Sequence, residues 1–176
     1  MPRCIAFLRA INVGGHTVTM DALRGHFVDL GIAAPETFIA SGNVIFTTRA
    51  RSLPALETKI ERHLEAALGY AVATFLRTDV ELAAIVAHAD ALPAATAHNV
   101  GFLKAPLTAP QRRALAGLET AIDRFHLHGH ELHWLCDAEQ SDSTFSNAVF
   151  EKTLGQRATF RGLNTLRRLV AKYPAT

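Results

Sequence analysis

The sequence predicts an α+β fold: two ferredoxin-like βαββαβ subdomains in tandem, closed by a C-terminal helix. Three observations carry that expectation. Apolar strand runs and helical stripes succeed one another as β-α-β-β-α-β over the first half, the order of a split βαβ unit. The opening strand then returns, because Val100-Gly101-Phe102-Leu103-Lys104-Ala105 repeats the spacing of Ile5-Ala6-Phe7-Leu8-Arg9-Ala10. A hairpin signature follows in each half, Phe38 with Gly42 and later Phe125 with Gly129. These landmarks predict a first subdomain over 1–90, a linker over 91–98 and a second subdomain with the last helix over 99–176.

Each element has its own local reason. Arg3 to Ala10 is apolar on both faces, so it should run through the middle of a sheet covered on both sides. After the loop Ile11–Val18, Thr19 is placed to cap a helix, with Asp21 favouring its dipole. Met20, Leu23, Phe27, Val28 and Leu30 make the helical stripe, and Gly31 ends it. Thr37–Ala40 and Val44–Thr47 read as strands around Ser41-Gly42-Asn43. Pro54 suits a helix start, Leu56, Ile60, Leu64 and Leu68 line one face, and Gly69 stops the run. Val72–Leu76 is the fourth strand, and a helix over Val80–Ala89 leads to the linker.

In the second half, Thr108 and Gln111 have the spacing of a capping box, opening a helix through Leu115 and Leu118. Phe125 and Leu127 face Leu132 and Trp134 across a turn at Gly129. A helix over Phe145–Leu154 ends at Gly155, Ala158–Arg161 is a strand, and Leu163–Tyr173 is an amphipathic helix closed by Pro174. The interval between matched landmarks shortens by the length of Ile11–Val18. The second copy therefore keeps strand and hairpin but lacks the glycine-rich loop. Additions to a rigid framework often carry function, although a neutral insertion would leave the same trace.

Hydrophobic residues at 49% and charged residues at 19% support a packed core and argue against disorder. No apolar run approaches the ~18 residues of a membrane span. Met1-Pro2-Arg3-Cys4 lacks the succession of charged, apolar and small residues of a secretory signal. Cys4 and Cys136 sit in apolar strands without metal or redox spacing, as buried thiols of a reducing compartment do. A cytoplasmic protein is expected. Net charge is +2, but residues 157–176 carry Arg157, Arg161, Arg167, Arg168 and Lys172 with no acidic residue. Such a tail meets phosphate or forms a solvated helix face.

Arg9-Ala10-Ile11-Asn12-Val13-Gly14-Gly15 is the segment with most chemical content. It offers a guanidinium, an amide and two residues that adopt positive φ without cost, just before a helix N-terminus. Backbone N–H groups in that setting hold a phosphate or carboxylate. The spacing is neither a Walker loop nor a dinucleotide fingerprint. A plain glycine turn with Arg9 in an ion pair is the structural alternative. Ser41-Gly42-Asn43 is explained by hairpin geometry alone, and Ser41 lies in no nucleophile elbow. His126, His128, His130 and His133 crowd one hairpin, and His126 and His133 should face each other on its outer, solvent-exposed side. Imidazole suits zinc, copper and nickel, but no cysteine or carboxylate completes a set. The other histidines, His16, His26, His63, His88 and His98, show no spacing signal. Glu57, Glu61 and Glu65 recur at i, i+4, i+8, a spacing expected of a solvated helix face. No catalytic residue, metal or cofactor is assigned.

Taken together, Arg9–Gly15, Ser41-Gly42-Asn43-Val44-Ile45-Phe46 and Thr159-Phe160-Arg161-Gly162-Leu163-Asn164-Thr165 resemble three marker segments of a bacterial family, domain of unknown function 1697. The resemblance implies an α+β protein of two ferredoxin-like subdomains and brings almost no chemistry. In the third segment Gly162 and Leu163 stand where the family usually has Asn-Trp, while Thr159, Arg161, Asn164 and Thr165 match.

The expected function is a binding module for an anionic ligand such as a nucleotide or nucleic-acid phosphate. Its residues would be Arg9, Asn12, Gly14, Gly15, Ser41, Asn43, Arg161, Asn164 and Thr165. A small-molecule enzyme is the rival, and a homo-oligomer paired through open sheet edges is a third reading. RNA recognition on an exposed aromatic platform is disfavoured, because the central strands are apolar on both faces.

Overall fold

The structure, a computed structural model, describes residues 1–39 and 42–176. Its strands are β1 (Arg3–Leu8), β2 (Glu36–Thr37), β3 (Asn43–Thr47), β4 (Thr74–Thr78), β5 (Ala97–Phe102), β6 (Asp123–His128), β7 (Glu131–Cys136) and β8 (Thr159–Gly162). Its helices are α1 (Met20–Asp29), α2 (Leu53–Leu68), α3 (Asp79–Ala91), α4 (Ala109–Ala116), α5 (Asn147–Leu154) and α6 (Leu163–Lys172). The strands form two four-stranded antiparallel sheets, ordered β2-β3-β1-β4 and β6-β7-β5-β8, consistent with two tandem ferredoxin-like subdomains. The chain divides into unit 1, Met1–Leu82 with Tyr173–Thr176, and unit 2, Ala83–Lys172, so the division falls inside α3.

In unit 1, β1 is the inner strand, with Ile5 opposite Ile45 of β3 and Arg77 of β4. Cys4, Ala6 and Leu8 face Leu23 and Phe27 of α1 and Ile60 and Leu64 of α2 in one apolar cluster. Ile5, Phe7, Ile45 and Phe75 point to the opposite face and are buried as well. That is why the strand reads as a continuous apolar run. Each such side chain contributes about 1.5–3 kcal/mol relative to exposure. The helix ends follow the expected chemistry: Thr19 Oγ1 accepts from the Ala22 N–H at 3.1 Å, and Gly31 and Gly69 take φ of +82° and +83°. At the end of the chain, Tyr173 donates its hydroxyl proton to Glu36 at 2.7 Å and lies under the Arg3 guanidinium. Burial and the Glu36 carboxylate push the Tyr173 hydroxyl up to about 12.

In unit 2, β5 is the inner strand, with Val100 opposite His133 of β7 and Arg161 of β8. Leu103, Leu132, Trp134 and Cys136 pack with Leu115 of α4 and Phe150 of α5. The capping box is present: the Gln111 N–H donates to Thr108 Oγ1, and the Thr108 N–H donates to Gln111 Oε1 at 3.0 Å. Asp123 is fully buried and accepts from the Trp134 indole, Thr120 and Ser143, each at 2.8 Å. Burial alone would raise its pKa, but these donors outweigh it and hold the carboxyl below the usual range.

Several boundaries differ from expectation. β5 starts at Ala97 because Ala97, His98 and Asn99 pair with Cys136, Leu135 and Trp134, so pairing extends the strand beyond its apolar core. Lys104 and Ala105 lie past its end. β4 begins two residues late, at Thr74 opposite Leu8. α5 begins at Asn147 because Ser146 caps it, while Phe145 packs edge-on against Trp134. β2 is only Glu36–Thr37, and Ala40 and Ser41 of the expected strand and turn lie outside the described residues. Register also refines the internal match. Val44 and Leu132 are equivalent and pair Thr37 and Leu127, three positions away from the alignment through Phe38 and Phe125.

Candidate functional site

Unit 1 brings two of the marker segments together. The Leu8 N–H donates to the Gly42 carbonyl at 2.9 Å, and a Cβ on Gly42 would stand 3.2 Å from Leu8 and 3.3 Å from Ile11. Gly42 is therefore required twice, by its φ of +77° and by the closeness of the loop beneath it. From there Ala10, Asn12, Gly14 and Gly15 all take left-handed backbone, with φ of 59°, 59°, 61° and 84°. Ala10 has no side-chain remedy for that conformation, which costs about 1–2 kcal/mol. Asn12 does: its amide oxygen accepts from the Val18 N–H at 2.7 Å and closes the loop on itself. Ile11 and Val18 are buried and pin the two ends, and His16 stacks on Tyr70 with ring centroids 3.9 Å apart. A Cβ at Gly14 or Gly15 would touch nothing within 4 Å, so backbone conformation alone selects glycine there. Asn43 is fully buried and donates its side-chain N–H to the Phe38 carbonyl at 3.0 Å, a hairpin contact.

The third segment belongs to unit 2. Arg161 is buried, donating to Thr159 Oγ1 at 2.8 Å and to the Phe160 carbonyl at 3.0 Å. Burial lowers its pKa to about 10, which leaves it cationic at neutral pH. Arg77 of unit 1 stands in the same register, buried and donating to the Leu76 carbonyl at 2.8 Å. The two arginines thus share one internal contact pattern.

Beyond Arg161 the segment opens onto a groove of about 560 Å³, lined by Gly162, Leu163, Asn164 and Thr165 at the start of α6. Asp90, His98, Asn99, Gln140 and Arg167 also line it. Arg167 bridges the site, donating to Asp90 through Nε and a terminal nitrogen at 3.1 and 2.5 Å and to the Asn164 side-chain oxygen at 3.1 Å. Leu163 is buried, as a packing residue would be. A Cβ at Gly162 would meet only the Asn99 side-chain oxygen, at 3.8 Å, so this glycine leaves the groove wall open.

The histidines correct the expectation from sequence. His126 and His133 do pair across β6 and β7, but His133 is fully buried rather than on a solvent-exposed face. His98 Nε2 lies 3.0 Å from His133 Nδ1, and His88 stacks on His128 with centroids 3.9 Å apart and 5.1 Å from the His133 ring. Burial pushes His133 down to about 3, and burial likewise lowers His98 and His88. All three are neutral at neutral pH. His88 and His98 had no spacing signal because α3 and β5 bring them in from distant points of the chain.

Of the expected residues, Arg9, Asn12, Gly14, Gly15 and Asn43 lie in unit 1, and Arg161, Asn164 and Thr165 lie in unit 2. Ser41 lies outside the described residues. Asp90, His98, Asn99 and Arg167 were not picked out as site residues. The basic tail flagged Arg167 only as one charge among five. No helix among the described residues is long and apolar enough to cross a membrane.

No curated protein matches the chain. Among solved structures, the conserved bacterial protein SP0830 from Streptococcus pneumoniae is similar, with a TM-score of 0.78 and 23% identity over 98% of this chain and 98% of that chain. At that identity the likeness concerns the fold alone. The first two marker segments fall within the stretch that a family model matches, residues 1–133, and the chain belongs to that family, described as "Protein of unknown function (DUF1697)".

Proposed function

We propose that this is a cytosolic module of two ferredoxin-like subdomains that binds an anionic, phosphate-bearing ligand, with nucleotides the first class to test. The ligand sits in the groove of unit 2. One observation carries the reading: Arg167 stands beside Asn164 at the opening of α6, in a groove of about 560 Å³. That volume suits a small molecule. The first N–H groups of a helix have no partner within it and carry partial positive charge. Asn164 and Thr165 add polar side chains at the same end. A guanidinium has five N–H donors, and the contacts of Arg167 to Asp90 and Asn164 use three. A phosphate therefore gains a charge-assisted partner without Asp90 leaving. The glycine loop with Arg9 is the rival location within the same reading.

Isothermal titration of ATP and of short oligonucleotides distinguishes them. Arg167→Ala weakens binding about tenfold or more, as expected for a lost charged hydrogen bond, while Arg9→Ala leaves it unchanged. The reverse pattern moves the ligand to the glycine loop. Absence of binding by the wild-type protein ends the proposal.

The enzyme reading has one observation in its favour. His98 lines the groove and is hydrogen-bonded to the buried, neutral His133, an arrangement suited to moving a proton. If a nucleotide binds, phosphorus NMR during prolonged incubation tests turnover. Conversion that disappears in His98→Asn while binding persists supports it, and an unchanged spectrum in the wild type refutes it.

A further inference from the structure

We propose that His26, Asp29 and His63 of unit 1 form a binding site for a divalent first-row transition metal, with zinc the ion to expect. His26 and Asp29 are one turn apart on α1, and His63 comes from α2. Their ligating atoms all lie within 4.8 Å of one another. The two imidazole rings meet at an angle of 65°, with centroids 5.6 Å apart, so neither covers the other face to face.

A second observation points the same way. The Nε2 atom of His63 is buried and has no hydrogen-bond partner, between residues Ile60 and Leu64 that anchor α2 in the core. A buried polar atom left unsatisfied is costly, and a metal ion is one of the few partners that would satisfy it. Its immediate neighbours supply the complementary donors, a second imidazole and a carboxylate.

The donor set decides the class of ion. Two nitrogens and one oxygen suit zinc, cobalt, nickel and copper, whereas magnesium and calcium prefer all-oxygen shells. Ligands on one tetrahedral zinc lie roughly 3.3 Å apart at ordinary bond lengths of about 2.0–2.1 Å. The three groups must close in by up to about an ångström and a half, well within side-chain rotation for exposed Asp29 and half-buried His26. Three protein ligands leave a fourth position open to water. The site joins α1 to α2 through side chains on the solvent edge of their packing, so occupancy stabilises unit 1. Nothing in it depends on the groove of unit 2.

Zinc titration by calorimetry and cobalt titration by visible absorption, on the full chain, test the site. The wild type takes up one ion and unfolds at a higher temperature when it is present, as a ligand specific to the folded state requires. Loss of a direct ligand costs more than the roughly tenfold to hundredfold seen for outer-shell partners. His26→Ala and His63→Asn should therefore each weaken zinc binding by more than about a hundredfold, and Asp29→Asn by about tenfold or more. His128→Ala, in the histidine group of unit 2, leaves it unchanged. His26→Ala keeps the test valid if His63→Asn folds poorly, because His26 lies at the surface edge. A wild type that takes up no zinc overturns the proposal. So does uptake that survives His26→Ala, or uptake that His128→Ala removes.

Discussion

Ile45 in unit 1 and His133 in unit 2 occupy the same place in their sheets. Each lies on the strand beside the inner one, opposite Ile5 or Val100, and each is almost wholly buried. In unit 1 that face is built on Ile5, Phe7, Ile45 and Phe75, with Asn43 and Arg77 as buried polar members and no histidine among them. In unit 2 it holds an imidazole bonded to His98 and flanked by His88. One backbone plan thus carries two different chemistries. A buried aliphatic residue is indifferent to pH, whereas a buried neutral histidine makes folding depend on it. A second pair makes a similar point about packing. Ala6 faces Leu76 in unit 1, whereas Gly101 faces Phe160 in unit 2, so the larger ring is matched by the smaller partner.

The most sensitive test of this comparison is pH. The folded-state pKa of His133, about 3, lies below its unfolded value near 6.5, so between those values the unfolded chain binds the extra proton. Stability is then complete above about pH 6.5 and falls as pH drops toward 3. Between pH 6.5 and 4.5 the loss should reach about 2–3 kcal/mol, at about 1.4 kcal/mol per unit. His98 and His88, also lowered, act in the same direction. Trp134 is the single tryptophan and sits in unit 2, so its fluorescence in urea titrations reports the right half of the molecule. His133→Ile, which installs the unit 1 residue, should flatten the dependence. A wild type equally stable at pH 7 and 4.5 would contradict the buried neutral imidazole.

Next in size is the packing swap. A Cβ at Gly101 would lie 2.6 Å from the Phe160 ring. Gly101→Ala should cost about 1–3 kcal/mol through overpacking. Gly101→Ala combined with Phe160→Leu recreates the unit 1 pair and should recover most of that loss. If the double variant is no more stable than the single one, the two positions are not coupled as the register requires.

The smallest effect separates the two helix starts. Thr108 makes a reciprocal capping box, whereas Thr19 makes a single contact to the Ala22 N–H. Thr108→Ala should cost about 1 kcal/mol and Thr19→Ala somewhat less. Thermal denaturation of the two variants checks the ranking, and a reversed order would show that the box adds nothing.

Much of the fold was readable because its signals are local. Thr19, Gly31, Gly69, Thr108 with Gln111, Gly129 and Gly155 all act within a few residues of themselves, through caps and positive φ. The repeat of Ile5–Ala10 at Val100–Ala105 carried the tandem plan, and the registers of Ile5 with Arg77 and Val100 with Arg161 repeat it in space. The loop before α1 is also longer than its counterpart: residues 9–18 lie between β1 and the Thr19 cap, against 103–107 between β5 and Thr108. Strand ends were less readable, since pairing with Trp134 rather than apolar character carries β5 back to Ala97.

The candidate sites divide along the same line. Asn164 and Thr165 were visible as part of a contiguous segment, whereas Asp90, His98 and Arg167 meet only because α3, β5 and α6 converge on one groove. His26, Asp29 and His63 meet because α1 packs on α2.

Residue order alone settled most of the helix caps and glycine stops, which central strands are buried, and that one plan occurs twice. These depend on backbone conformation and on apolar periodicity, both readable over a few neighbouring positions. Which imidazoles are dry, which arginine lines a groove and which nitrogen lacks a partner were decided by tertiary packing. Those properties depend on desolvation and on distances between residues far apart in the chain, and only the folded backbone sets them.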